Sequence, residues 1–217
     1  MPTRDDPQEL SALLAARRAP GADRVAIDAA IRARFGTTQA MMFTDLVGFS
    51  RMVEAFGILH FLQLIHESET LFLPLIAQHG GTCLKREGDS LLVVFDAPAQ
   101  ALAASRAMVA ATRAVNPGRP PEEHLGVCIG LGFGEVLRAG NDVWGAEVNA
   151  ASKLGEDTAR GGDILVTAAF RAALPDEDFA SHGFLFGTRP VFRWSGGPGE
   201  AGTIAASTHP DQPKETP

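Results

Sequence analysis

Cysteine is scarce. Cys83 and Cys128 are the only two in 217 residues, too few to define a zinc site. Both sit in apolar, strand-like runs, where buried free thiols are expected. Long apolar runs are absent as well. Nothing approaches the ~20 residues of a membrane span, and Met1-Pro2-Thr3-Arg4-Asp5-Asp6 is polar and acidic, with no signal-peptide hydrophobic region. The expectation is a cytoplasmic protein without a membrane segment. Excess positive charge is also missing. The formal net charge is −7 and the pI about 5.3, which argues against a nucleic-acid partner. A nucleotide remains possible if a metal and a few local cations neutralise its phosphates. His60, His66 and His79 lie six and thirteen residues apart, not at the i, i+4 spacing of a helical metal-ligand pair, and read as structural or surface residues. No internal repeat is visible.

What is present is a globular composition: 45% hydrophobic and 21% charged residues, enough for one sizeable domain with flanks. Leu10, Leu13 and Leu14 predict a helix over 7–18, broken by Pro20-Gly21. Asp23 caps a second, with Val25, Ile27, Ile31 and Phe35 at core spacings and Gly36 ending it. This arm, residues 1–36, is too small to fold alone and is expected to pack on the main domain or on a partner. A main domain over 37–206 and a disordered tail over 207–217 complete the expected division.

Within 37–206 the expected order begins with a strand at 39–46 and a long helix from Ser50 to Gln78, with Pro74 as a kink or boundary. A hairpin of strands 82–87 and 90–95 follows, then an Ala-rich helix from Pro98 to Val115 and a strand at 124–138. A turn at 141–145 leads to a helix at 146–158. Then come a strand at 163–167, a short helix at 168–173, and a final strand pair at 183–194 and 201–206. This pattern predicts an α+β sandwich, an antiparallel-rich sheet covered by helices.

Two acidic residues stand out. Asp45 ends the first strand beside Gly48, and Asp89 follows Gly88 at the hairpin turn. Hard cations such as Mg²⁺ take oxygen ligands, commonly one or two carboxylates plus substrate phosphates. The backbone N–H groups of Leu46, Val47, Gly48 and Phe49, ahead of a helix, are candidate phosphate donors. Taken singly, each Asp also reads as a helix cap or turn residue. Glycines at alternate positions, Gly130, Gly132 and Gly134, remove one face of side chains from a strand, so that something approaches its backbone.

Four blocks in order resemble the class III nucleotidyl cyclase catalytic domain. They are Phe43-Thr44-Asp45-Leu46-Val47-Gly48-Phe49-Ser50, Lys85-Arg86-Glu87-Gly88-Asp89, Gly130-Leu131-Gly132-Phe133-Gly134-Glu135-Val136, and Asp142-Val143-Trp144-Gly145 running on to Val148-Asn149-Ala150-Ala151-Ser152-Lys153-Leu154. The resemblance covers residues 37 to about 167. It implies the family's ferredoxin-like fold, with Asp45 and Asp89 holding two Mg²⁺ or Mn²⁺ ions. Lys85 and Asp142 would read the base, as a donor–acceptor pair suited to adenine. Asn149 would orient the ribose, and Lys153 would stand where the family has an arginine that steadies the transition state. Lysine keeps the charge but lacks the planar fork.

The implied activity is ATP to 3′,5′-cyclic AMP and pyrophosphate at the interface of a head-to-tail homodimer, under an unidentified regulator. The family's Lys-Gly near the C-terminus has no counterpart in Arg189-Pro190-Val191-Phe192-Arg193-Trp194-Ser195-Gly196. That departure and Lys153 define the alternative, a degenerate cyclase-like domain that binds nucleotide or a partner protein with little turnover. A dinucleotide-type cyclase ranks below both, because its Gly-Gly-Asp/Glu-Glu-Phe hairpin is absent.

Overall fold

The computed structural model describes residues 6–196, and at 49–52 the backbone alone. Two helices open it, α1 (Pro7–Arg17) and α2 (Arg24–Phe35), then strand β1 (Gly36–Leu46), helices α3 (Phe49–Phe56) and α4 (Ile58–Gln78), the hairpin β2 (Thr82–Glu87) and β3 (Ser90–Phe95), and helix α5 (Pro98–Val115). Next come β4 (Val127–Ala139), the short β5 (Asp142–Trp144) and α6 (Ala146–Ser152), which continues as a π-helical turn over Lys153–Thr158. Strand β6 (Ile164–Thr167), helix α7 (Ala168–Ala172) and the strands β7 (Phe179–Leu185) and β8 (Arg189–Trp194) complete the set.

The sheet runs β2-β3-β1-β4-β6-β8-β7, with β5 paired to β4. Among the described strands every pairing is antiparallel except β4 with β6. The architecture is the expected α+β arrangement, an antiparallel-rich sheet covered by helices. Strand β1 is central and buried on both faces, which is why Ala40-Met41-Met42 reads as a continuous apolar run and not as an alternation. Ala40 and Met42 face the main core with Phe61, Phe72 and Ile76 of α4 and Leu102 and Met108 of α5. Met41 faces the other way, packing with Val148 and Ala151 of α6. The sheet is thus a middle layer, with α4 and α5 behind it and α6 on the face where Asp45 emerges.

The terminal arm packs on this same chain. Leu10, Ile31 and Phe35 bury against Ala139 at the end of β4. Arg17 pairs with Asp28 at 2.5 Å and Arg34 with Glu9 at 3.0 Å, fastening α1 to α2.

Several expected boundaries move, each for a local reason. The helix expected from Ser50 to Gln78 is two helices, because Gly57 adopts φ 84°, ψ 166°, a conformation open only to glycine. Pro74 lies inside α4 and marks no boundary. The turn expected over 141–145 is confined to Gly140-Asn141, and Asp142–Trp144 pairs back on β4. The helix expected over 146–158 changes from α to π pitch at Lys153. The strand expected over 183–194 contains a turn. Phe186 and Gly187 take φ values of 51° and 74°, so 179–185 and 189–194 form the final hairpin. The strand expected at 201–206 and the tail expected to be disordered over 207–217 lie outside the described residues. Cys128 is buried and Cys83 only half-buried; both are free.

Candidate active site

The first half of the site is a carboxylate pair. Thr44 of β1 is in register with Leu91 of β3, so the end of β1 meets the β2–β3 turn and Asp45 meets Asp89. Each carboxylate interacts with the other, and Ser90 Oγ donates to Asp45 Oδ1 at 3.4 Å. Burial, reinforced by the neighbouring Asp89 charge, pushes Asp45 up to about 7. Burial also raises Asp89, opposed by hydrogen bonds that include one from the Leu46 N–H. Asp89 Oδ2 is buried without a hydrogen-bond partner. Buried carboxylate oxygens normally have partners, so this atom and the raised pair describe a place suited to positive charge.

These residues fit a divalent ion. Two hard oxygen donors converge, and one of them is orphaned. Among the described residues no group of three or more His, Cys, Asp or Glu is placed to hold a metal, so the remaining ligands would be phosphate oxygens and water. Cys128 is no competitor. Burial drives its thiol to about 12, which keeps it protonated.

The phosphate-facing backbone is narrower than the sequence led us to expect. Leu46 N–H serves Asp89, and Val47 N–H donates to the Gly126 carbonyl at 3.1 Å. Gly48, at φ 84°, and Phe49 then open α3. Of the four expected donors, two are committed to the fold, which leaves Gly48 and Phe49 at the helix start.

The second half lies on the same face. Lys85 of β2 and Asp142 of β5 form an ion pair, whose hydrogen bond holds the Lys85 ammonium above its ordinary value. They border a cavity of about 210 Å³ that Phe43, Leu92, Val148 and the half-exposed Trp144 also line. An acceptor and a donor are thus presented beside an apolar, aromatic wall, which suits a flat heteroaromatic base.

Asn149 and Lys153 follow on the exposed side of α6, opposite Ala150, Ala151 and Leu154. Lys153 pairs with Asp157 in this chain. The helix lies against the sheet because of the glycines. A Cβ on Gly130 would come within 2.1 Å of the Ala151 carbonyl oxygen and 2.4 Å of Gly155 N, and one on Gly132 within 2.6 Å of the Glu147 carbonyl oxygen. What approaches the glycine face is therefore α6 itself.

Sequence reasoning missed Ser90 and Glu156. Ser90 bonds Asp45 and also lines the base-sized cavity. Glu156 lines that cavity, and its charge adds to the raising of Asp45. The pitch change at Lys153 hid Glu156, because an α-helical projection from Lys153 does not describe a π turn. Arg193, in the segment where the family has its Lys-Gly, pairs with Asp163 at 3.6 Å. His60 contacts the Glu122 carbonyl at 2.9 Å, a structural role.

The adenylate and guanylate cyclase catalytic domain model matches residues 34–186, and the chain belongs to that family of cyclic-nucleotide-forming lyases. An adenylate cyclase of Streptomyces coelicolor is 32% identical over 135 residues, covering 62% of this chain and 34% of that protein. A crystal structure of an adenylate/guanylate cyclase/hydrolase from Silicibacter pomeroyi superposes with TM-score 0.66 at 26% identity, over 73% of this chain and 96% of that one. The guanylyl cyclase Cya2 shares the fold with TM-score 0.65 at 23% identity, over 76% of this chain and 95% of that one. The chain spans about a third or less of the length of the curated relatives it matches.

Proposed function

We propose that this chain is an adenylate cyclase that converts ATP to 3′,5′-cyclic AMP and pyrophosphate, working as a head-to-tail homodimer. The observation that carries this reading is the Lys85–Asp142 pair bordering a base-sized cavity on the same sheet face as the Asp45–Asp89 pair. Asp142 would accept from the adenine exocyclic amine and Lys85 would donate to a ring nitrogen. Guanine presents a carbonyl where adenine presents the amine, and so would face the Asp142 carboxylate with a second acceptor.

Asp45 and Asp89 would hold two Mg²⁺ or Mn²⁺ ions, and Gly48 and Phe49 would bind phosphate oxygens at the start of α3. The chemistry supplied by such ions is charge neutralisation of the triphosphate and acidification of the ribose 3′-hydroxyl. The 3′-hydroxyl would give up its proton to solvent water, its oxygen would form a bond to the α-phosphorus as the bond from that phosphorus to the bridging oxygen breaks, and pyrophosphate would leave. Asn149 would orient the ribose, and Lys153, turned from Asp157 to substrate, would offset charge on the α-phosphoryl oxygens. In the dimer Asp45 and Asp89 of one copy would face Lys85, Asp142, Asn149 and Lys153 of the other. Each chain carries both sets, so two equivalent sites result.

The test is turnover of ATP, GTP, CTP and UTP with Mg²⁺ and with Mn²⁺, beside an Asp45→Ala control. Cyclic AMP well above that control is expected. Nucleotide binding without product in every combination would select the degenerate reading, for which Lys153 and the missing Lys-Gly speak.

Base choice gives a second prediction. Lys85→Ala or Asp142→Ala is expected to shrink the ATP-over-GTP ratio of kcat/KM by about 10–100-fold, the range for losing a specific buried polar contact. An unchanged ratio would remove both residues from base reading. Lys153→Arg restores the planar fork, and kcat is expected to hold or to rise by up to about tenfold. A large fall would mean that the site has adapted to lysine and to its Asp157 partner.

A further inference from the structure

Helix α6 is short and has no side-chain cap at its N-terminal Gly145, yet it carries Asn149 and Lys153. Its first turn is held from the buried side. The Glu147 side chain, only 14% exposed, accepts from Thr167 Oγ1 at 2.5 Å and forms an ion pair with Arg189. Arg189 also donates to the Ala146 carbonyl at 3.2 Å. Thr167 in turn accepts from the Phe170 N–H at 3.3 Å, the cap of α7. One carboxylate therefore ties α6 to the end of β6 and to the first residue of β8. Beyond this knot lies a cavity of about 170 Å³ lined by Ala150, Leu185 and Val191 among others, so side-chain packing does not replace the knot if it is cut.

We infer that Glu147 and Arg189, with Thr167, form a positioning clamp that sets the placement of Asn149 and Lys153 for catalysis. Neither Glu147 nor Arg189 is on the exposed face that bears those two residues, and neither touches the base-sized cavity. They act through α6. Arg189 stands in the C-terminal segment that lacks the expected Lys-Gly, and its guanidinium is committed to the helix. The catalytic part of this inference rests on the cyclase reading above.

The test compares wild type with Glu147→Gln, Arg189→Gln and the double variant, each also in a Lys153→Ala background. For the clamp, each single change lowers kcat by about tenfold with KM for ATP within about twofold, and the double variant is no worse than either single. In the Lys153→Ala background the Glu147→Gln effect shrinks, because one of the two residues it positions is gone and only the share acting through Asn149 remains. A merely structural role would give the same loss in both backgrounds, and that result would overturn the inference. Hydrogen exchange keeps the clamp testable without turnover. Glu147→Gln should speed exchange of the 149–153 amides by about tenfold or more while leaving those of β1 unchanged. Unchanged exchange at 149–153 refutes the clamp even in an active enzyme. Faster exchange in a chain that turns over no nucleotide retains the clamp and refutes the cyclase reading instead.

Discussion

Asp45→Asn is expected to abolish cyclic-nucleotide formation and, in the same protein, to raise its melting temperature at pH 8 without metal. The catalytic loss follows from removing one of two carboxylates that would hold the ions. Several kcal/mol of transition-state stabilisation correspond to a fall of roughly 10²–10³-fold or more. The gain in stability follows from the raised Asp45. A carboxyl group with a folded pKa of about 7, against roughly 3.9 unfolded, contributes stability that is complete below the unfolded value and is lost as pH rises toward the folded one.

Wild type without metal is therefore destabilised between about pH 4 and pH 7, and the asparagine variant is not. Asp45 is half-buried, and solvent screening reduces the full linkage value to about 1–2 kcal/mol. Thermal melts at pH 5 and pH 8, with and without Mn²⁺, check this. The variant should melt higher than wild type at pH 8, the gap should shrink at pH 5, and Mn²⁺ should stabilise wild type alone. Equal stabilisation of both proteins by Mn²⁺ would remove Asp45 from the metal site.

Gly130→Ala is expected to cost about 3 kcal/mol or more of folding stability and to remove activity with it. The new methyl would meet the Ala151 carbonyl oxygen at 2.1 Å, Gly155 N at 2.4 Å and Leu154 Cβ at 2.8 Å. Two of these are backbone atoms, and no rotamer change relieves them. Gly134→Ala is the control. There a Cβ meets only the Glu147 side chain, at 3.1 and 3.9 Å, and the cost should stay under about 1 kcal/mol. Urea denaturation resolves the two. Equal small costs would show that α6 can lift off the sheet without penalty.

Much of this molecule was legible in the sequence where one residue type has one physical use. The apolar run through Ala40-Met41-Met42 marked the first strand, without saying that both its faces are buried. The Lys85-Arg86-Glu87-Gly88-Asp89 turn marked the hairpin that brings Asp89 to Asp45. The glycines at 130, 132 and 134 marked a close approach, though the strand's own sequence did not say by what. Illegible features were those set by conformation or by distant register. Phe186 is a poor turn residue by composition, and only the left-handed backbone beside Gly187 reveals the final hairpin. Gly57 lies within a helical apolar pattern, and its ψ of 166° is what divides it. The commitment of Val47 N–H to Gly126 depends on a loop 79 positions later. Glu147 and Arg189 are 42 residues apart and share no local motif.

The backbone-to-backbone seam between β4 and α6 has a mechanical consequence. Gly155 also sits against β1, where a Cβ would come within 2.7 Å of the Phe43 carbonyl oxygen. At Gly130 and Gly132 the strand places no side chain of its own between the two backbones to act as a compliant layer, so strand and helix carry load as one block. Within a single copy, the separation between Asp45 at the end of β1 and Lys153 beyond α6 is then nearly inextensible. In the proposed dimer, switching would work as in a pair of stiff jaws: the hinge is the seam between copies, and the teeth do not bend.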